Sequence, residues 1–212
     1  MTTLYLIRHG ESEANLARIF TGSSDFKLTE KGQAQAKLAA DFLKDKSIDA
    51  VYASPLNRAY NTGKAVSDML NIPIYTHEGL KEINAGIWEG KKFDDLEKEF
   101  VEAYYIWRND IGNAAPDGGE TVAELYDRVV NAVISIAKEN DGKNIVLATH
   151  ATPVRALGAY AMGIAKENLK NLSWAGNASI TTVKYDNGKF FDIEYGYIGH
   201  LGDIATGLPS NV

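Results

Sequence analysis

Four places in the chain carry side chains suited to chemistry: the pair Arg8-His9, then Arg58, Glu82 and His150. Arg8-His9 follows the apolar run Leu4-Tyr5-Leu6-Ile7 and precedes Gly10. That is a poor place for core side chains, since an unpartnered polar group costs roughly several kcal/mol to bury. Two guanidiniums offer bidentate donors to phosphate oxygens and stay charged at any relevant pH. A neutral imidazole can attack phosphorus and hold the phosphoryl group. A carboxyl group can protonate a leaving oxygen and then activate water if its pKa is raised. The set could therefore carry phosphoryl transfer by positioning and charge, without a metal. Taken singly, each has a plainer reading: Arg8-His9 as a surface strand end, Glu82 as a solvated loop carboxylate, His150 as a satisfied strand-end histidine.

These residues need elements that bring them together. Leu4–Ile7 reads as a buried strand, 15–26 as a polar loop, and Thr29 as the cap of a helix carrying Leu38, Ala39, Phe42 and Leu43 on one face. Ala50-Val51-Tyr52-Ala53 is a second strand, and Ser54-Pro55 opens a helix bearing Arg58, with Pro55 near its first turn. Residues 73–76 make a short strand ending at His77. From 78 to 119 the pattern breaks up around Gly86, Gly90 and Gly112, with one helix expected over 93–105. This reads as a lid, about 85–118, rather than a second domain. Thr121-Val122-Ala123-Glu124 is a capping box ahead of a stripe of Val122, Leu125, Val129 and Val133. Ile145-Val146-Leu147-Ala148 is the clearest strand and ends in Thr149-His150, after which Thr152 and Pro153 are expected to start a helix. Strands over 180–185 and 189–195 meet across Asn187-Gly188 as a hairpin, and the tail from Gly199 is expected to be irregular.

The alternation predicts one α/β domain over 1–212: a three-layer sandwich with a mostly parallel central sheet, an antiparallel edge and a small helical lid. In such sheets ligands bind beyond the carboxyl ends of the strands, where Arg8-His9 and His150 both fall. The net charge of −6 offers no basic field for nucleic acid or anionic lipid. Cysteine is absent, which removes disulfides, thiolate metal sites and Cys nucleophiles, and fits a cytoplasmic protein. It also removes the zinc deaminase reading of His9-Gly10-Glu11, which needs cysteines. No signal peptide or membrane span is expected. His77, His200, Glu11 and Glu13 read as structural or solvated, Arg155 as a helix-surface or structural charge, and Trp88 and Trp107 as core or lid packing.

Leu6-Ile7-Arg8-His9-Gly10-Glu11-Ser12-Glu13-Ala14-Asn15 resembles the defining motif of the histidine phosphatase superfamily, phosphoglycerate mutase-like branch. Four further stretches resemble its motifs in family order: 25–32 the Leu-Thr-x-x-Gly helix start, 54–59 the second arginine motif, 80–90 the acid loop, and Thr149-His150 with 154–157 the second-histidine motif. The resemblance implies that His9 accepts the phosphoryl group and Glu82 donates the proton. It places Arg8, Arg58 and His150 in the phosphate pocket, Asn15 as a donor to it, and Thr21 and Gly22 in the loop lining the substrate side. Ala151 stands where the family usually has Gly, and its N–H still serves if its φ is not strongly positive. No metal and no cofactor are implied. The expected partner is a small phosphorylated metabolite, acted on by a monomer or homodimer.

The family's glycolytic mutases follow the acid with Arg-His-Tyr-Gly and carry paired arginines in a longer insertion. Here Glu82 is followed by Ile83-Asn84-Ala85-Gly86, and the insertion holds only one arginine, Arg108, plus Lys91 and Lys92 near its start. The expected activity is therefore phosphomonoester hydrolysis. Cofactor-dependent phosphoglycerate mutase is the alternative, and a non-catalytic phosphate-binding module a third reading.

Overall fold

In a computed structural model, which describes residues 1–207, the chain forms strands β1 (Thr2–Arg8), β2 (Ala50–Ala53), β3 (Ile74–Thr76), β4 (Asn144–Thr149), β5 (Ile180–Asp186) and β6 (Lys189–Tyr197). The helices are α1 (Glu13–Ala17), α2 (Glu30–Leu43), α3 (Asn57–Leu70), α4 (Phe93–Glu99), α5 (Val101–Asn109), α6 (Val122–Glu139) and α7 (Ala151–Ala161). The strands form one sheet in the order β3-β2-β4-β1-β5-β6. β3, β2, β4 and β1 run parallel, while β5 and β6 run antiparallel at one edge. The three-layer α/β sandwich expected from the alternation is thus the observed one.

Side-chain alternation along β1 separates two cores. Leu4 and Leu6 join Leu147, Val129, Val133 and Leu157 under α6 and α7. Ile7 joins Val51, Val146, Ala39 and Leu43 on the face covered by α2 and α3. α6 is fixed at its start by the expected box: Thr121 Oγ1 accepts from Glu124 N at 3.1 Å, and Glu124 Oε2 accepts from Thr121 N at 2.9 Å. Loop and helix pack backbone to backbone where Gly10 meets Gly32. A Cβ on Gly10 would overlap the Gly32 carbonyl, and one on Gly32 the Glu11 carbonyl.

Several boundaries differ from those expected. The stretch read as a loop from residue 15 begins inside α1, because Ser12 caps it with Asn15 at the third position playing the part usually given to Glu or Gln. α3 starts at Asn57 with Leu56 at its cap, which leaves Pro55 ahead of the first turn. α7 starts at Ala151 with His150 as the cap, two residues before the Thr152 expected to cap it. Pro153 is then its third residue, still among the N–H groups without an intrahelical acceptor. The single helix expected over 93–105 is two helices broken at Phe100, whose φ −126°, ψ 47° is not helical. The tail, expected to be irregular from Gly199, forms short 3-10 pieces over Gly199–Ile204 interrupted at Gly202 (φ 50°, ψ −131°), and its end lies outside the described residues. No helix among the described residues is long and apolar enough to cross a membrane.

Candidate active site

β1 and β4 are parallel neighbours in register, with Arg8 opposite Thr149. The residues that follow them, His9 and His150, therefore sit side by side beyond the strand ends. Their rings lie 5.2 Å apart between centroids at 64°, and both are buried. His9 Nδ1 lies 2.7 Å from the Gly10 carbonyl oxygen, which can only accept. The proton is thereby held on Nδ1, leaving the Nε2 lone pair free to act as a nucleophile. His150 Nε2 lies 2.8 Å from the Ser54 hydroxyl.

Burial, the Arg58 charge and the Arg8 charge hold the His9 pKa well below that of a free imidazole. Burial and then Arg58 do the same to His150. Both rings stay neutral in the folded chain, while in the unfolded chain they protonate below about pH 6.5. The stability they contribute is therefore complete above that value and lost as pH falls. Glu82 has the opposite sign: burial raises its pKa above the ordinary carboxylate value, so its contribution is lost as pH rises through the folded pKa. Melting temperature should thus fall between pH 7 and pH 5, less steeply in His9→Ala and more steeply in Glu82→Gln. A melting temperature flat over that range in the unaltered protein would contradict the neutral, buried pair.

Glu82 reaches the same rim from a loop that follows the 3-10 turn Glu78–Leu80. Arg128, paired with Glu120 at 2.7 Å, donates to the carbonyls of Gly79 and Lys81 at 3.1 Å each and holds that loop. Thr149 Oγ1 donates to the Leu80 carbonyl at 2.6 Å. The Glu82 carboxylate accepts from Ile83 N at 2.9 Å and Thr152 N at 3.3 Å. These two bonds and the Arg58 charge only partly offset burial, so the carboxyl keeps its proton more readily than a solvated one.

Arg8, His9, Asn15, Thr21, Glu82 and Ala151 line one cavity of about 790 Å³, counting the solvent at its mouth. Ala151 is outside the set of positive-φ residues, so the methyl group where Gly is usual is accommodated without backbone strain. Asn15 Oδ1 accepts from Ser12 and from Asn177 Nδ2, which orients its amide. Arg58, His150 and Gly22 do not line this cavity. Arg58 is buried, donating to the carbonyls of Ser24 and Gly22 at 2.8 Å each. Gly22 is enclosed, and a Cβ there would overlap the Ile83 carbonyl. Two buried donors near His9, Arg8 Nε and Arg58 Nε, have no acceptor among the described residues, and His150 Nδ1, a third donor in the tautomer whose Nε2 accepts from Ser54, has no partner there either. Donors of that kind, two on cations, suit an anion.

Sequence reasoning missed Asn177, Trp174 and Arg128. Asn177 donates to the His9 carbonyl at 3.1 Å and lines the cavity with Trp174. Both belong to the turn ahead of β5, where no periodic pattern singles out a residue. Glu11, read as structural or solvated, is the former: it is buried, lines the cavity and accepts from the Thr29 hydroxyl at 3.0 Å. Arg155, read as a surface or structural charge, is buried with its guanidinium 4.4 Å from the Trp174 ring centre. Trp107 lines the cavity, whereas Trp88 and Tyr104 are core and Tyr105 is exposed. No group of three or more His, Asp or Glu side chains placed to hold a metal occurs among the described residues.

The family model of the histidine phosphatase superfamily, branch 1, matches residues 4–195. The chain belongs to this superfamily. Among histidine phosphatases and their kin it is 28% identical to phosphoserine phosphatase 1 of Hydrogenobacter thermophilus, over 96% of each chain. It is 35% identical to the adenosylcobalamin/alpha-ribazole phosphatase of Salmonella typhimurium, over 69% of this chain and 73% of that one. A 2,3-bisphosphoglycerate-dependent phosphoglycerate mutase of Thermoplasma acidophilum is 33% identical, over 97% and 94%. The solved structure of Bacillus stearothermophilus YhfR superposes with a TM-score of 0.90 at 32% identity, covering 95% of this chain and all of that one.

Proposed function

We propose that this histidine phosphatase hydrolyses small phosphate monoesters through a phosphohistidine on His9. His9 Nε2 attacks phosphorus in line, and the P–O ester bond breaks as Glu82 protonates the departing alkoxide. Glu82, now a carboxylate, takes a proton from water as its oxygen attacks the phosphohistidine, releasing phosphate and restoring the imidazole lone pair. Arg8, Arg58 and His150 stabilise the charge on the transferring group, and the Asn15 amide and the Ala151 end of α7 face it. Every one of these residues comes from a single chain, so a monomer or a homodimer would serve equally.

The observation that carries hydrolysis over mutase chemistry is the charge of the cavity wall. A mutase must hold and turn a bisphosphate intermediate, which takes further cations. Arg8 is the one Lys or Arg side chain among the described cavity-lining residues. The cations of residues 85–118 stand outside that wall: Arg108 pairs with Glu97 at 3.2 Å, Lys91 with Glu99 at 2.7 Å, and Lys92 and Lys98 are exposed.

The apolar part of the wall is Ile19, Phe20, Ile83, Phe93, Trp107 and Trp174, beside the Thr152 and Thr206 positions. Such a surface favours a leaving group with an apolar or ring-bearing face over one carrying its own charges. Benzyl phosphate and phosphoserine are both esters of primary alcohols, so they compare the wall rather than bond reactivity. kcat/KM should be at least about tenfold higher for benzyl phosphate, about 1.4 kcal/mol in transition-state binding. Equal or better turnover of phosphoserine would overturn this preference. Interconversion of phosphoglycerates with negligible phosphate release would overturn the hydrolase reading itself.

A further inference from the structure

Glu89 lies outside the cavity, yet it is among the most heavily hydrogen-bonded side chains of the chain. It follows the 3-10 turn Gly86–Trp88 at the base of the lid. Its Oε1 accepts from Ser23 N at 2.6 Å and Ala85 N at 3.1 Å. Its Oε2 accepts from Gly22 N at 3.2 Å, Ser24 N at 3.1 Å and Ser24 Oγ at 2.5 Å. One carboxylate thus takes three consecutive backbone N–H groups of the loop 22–24. From the opposite side, the Arg58 guanidinium takes two carbonyls of the same three residues, those of Gly22 and Ser24. Asp25 fixes the loop's exit by accepting from Asn57 N at 2.8 Å and Asn57 Nδ2 at 2.5 Å, next to Arg58 on α3.

We propose that Glu89 is a positioning residue for Arg58, acting through the loop 22–24. Each Arg58 Nη donates to a carbonyl of that loop, and the loop's N–H groups are held by Glu89. The direction in which the free Arg58 Nε points is therefore set by a carboxylate on the lid base. The same grip places Thr21, the neighbouring cavity residue. Gly22 fits this clamp because a side chain there would collide with the Glu89 carboxylate as well as with the Ile83 carbonyl. Glu89→Gln keeps size and one acceptor oxygen but turns an NH2 group toward backbone donors, so at least one N–H loses its partner.

This inference rests on Arg58 serving the phosphate pocket, and its test reads anion binding rather than turnover. Orthovanadate affinity is measured by calorimetry in a double-mutant cycle of Glu89→Gln and Arg58→Lys, with melting temperatures alongside. Glu89→Gln should weaken orthovanadate at least tenfold in the unaltered background and less than threefold in Arg58→Lys. Glu89→Asp, which keeps the carboxylate, should recover part of the loss. A role confined to stapling the lid would give the same fold loss in both backgrounds, and that additivity would overturn the proposal. If Glu89→Gln does not fold, Ser24→Ala removes a single donor to Glu89 and enters the same cycle. Coupling above twofold then supports the proposal, and additivity overturns it. Failure of the phosphohistidine reading would instead show as unlabelled His9 with the coupling intact.

Discussion

Replacing His9 with alanine should lower kcat for any phosphate monoester by about five orders of magnitude, comparable to loss of the nucleophile in other covalent enzymes. Among the described residues, no second histidine lines the cavity to take its place. His150 is engaged through Nε2 with Ser54 and does not line the cavity. The donors that suit an anion remain in the variant, so orthovanadate should still bind. Rapid quench with 32P-labelled ester should trap an acid-labile, base-stable label on the unaltered protein and none on His9→Ala. Label persisting in the variant would remove His9 from its assigned role.

Glu82→Gln separates the two halves of the reaction. An alkyl ester needs its leaving oxygen protonated, so kcat should fall by roughly 10²- to 10⁴-fold. p-Nitrophenyl phosphate, whose leaving group departs without help, should phosphorylate His9 at close to the original rate. Its phosphohistidine would then wait on an unassisted water. Stopped-flow should show a burst of nitrophenol near one equivalent of enzyme, followed by a slow steady state. An equal loss in both phases with no burst would mean that Glu82 supports the site without transferring a proton. The unaltered enzyme should lose kcat/KM for alkyl esters as pH rises past the elevated Glu82 pKa, because the free enzyme must carry that proton. Glu82→Gln should lack this limb.

Much of the site was legible because strand-end chemistry is local. Arg8-His9 and Thr149-His150 each follow an apolar run, and the parallel alternation by itself puts such ends on one edge. Glu82 and Arg58 were legible through motif resemblance, not through periodicity, since loops and first turns carry none. What sequence could not supply was second-layer bonding between distant loops. Nothing near residue 58 indicates that its guanidinium is held by carbonyls of 22 and 24, or that a glutamate on the lid base grips their N–H groups. Asn177 and Trp174 entered the cavity from a turn whose composition resembles any other. Two boundary differences come from caps of unexpected composition: Ser12 with Asn15 at the third position starts α1 where a loop was expected, and His150 caps α7 ahead of Thr152.

The place of β1 in the sheet has a consequence for how the protein comes into being. This first strand, whose end presents Arg8 and His9, pairs with β4 at residues 144–149 and β5 at 180–185, and with no nearer segment. As the chain leaves the ribosome, β1 must wait for most of the remaining sequence before it has either neighbour. Pairings between such distant segments form slowly, and an unpaired apolar strand is exposed to association in the meantime. Phosphate-ester hydrolysis is therefore a property of the finished sheet. A nascent or truncated chain ending before residue 180 would carry Arg8, His9, Arg58, Glu82 and His150 and still lack the strand that seats the first two.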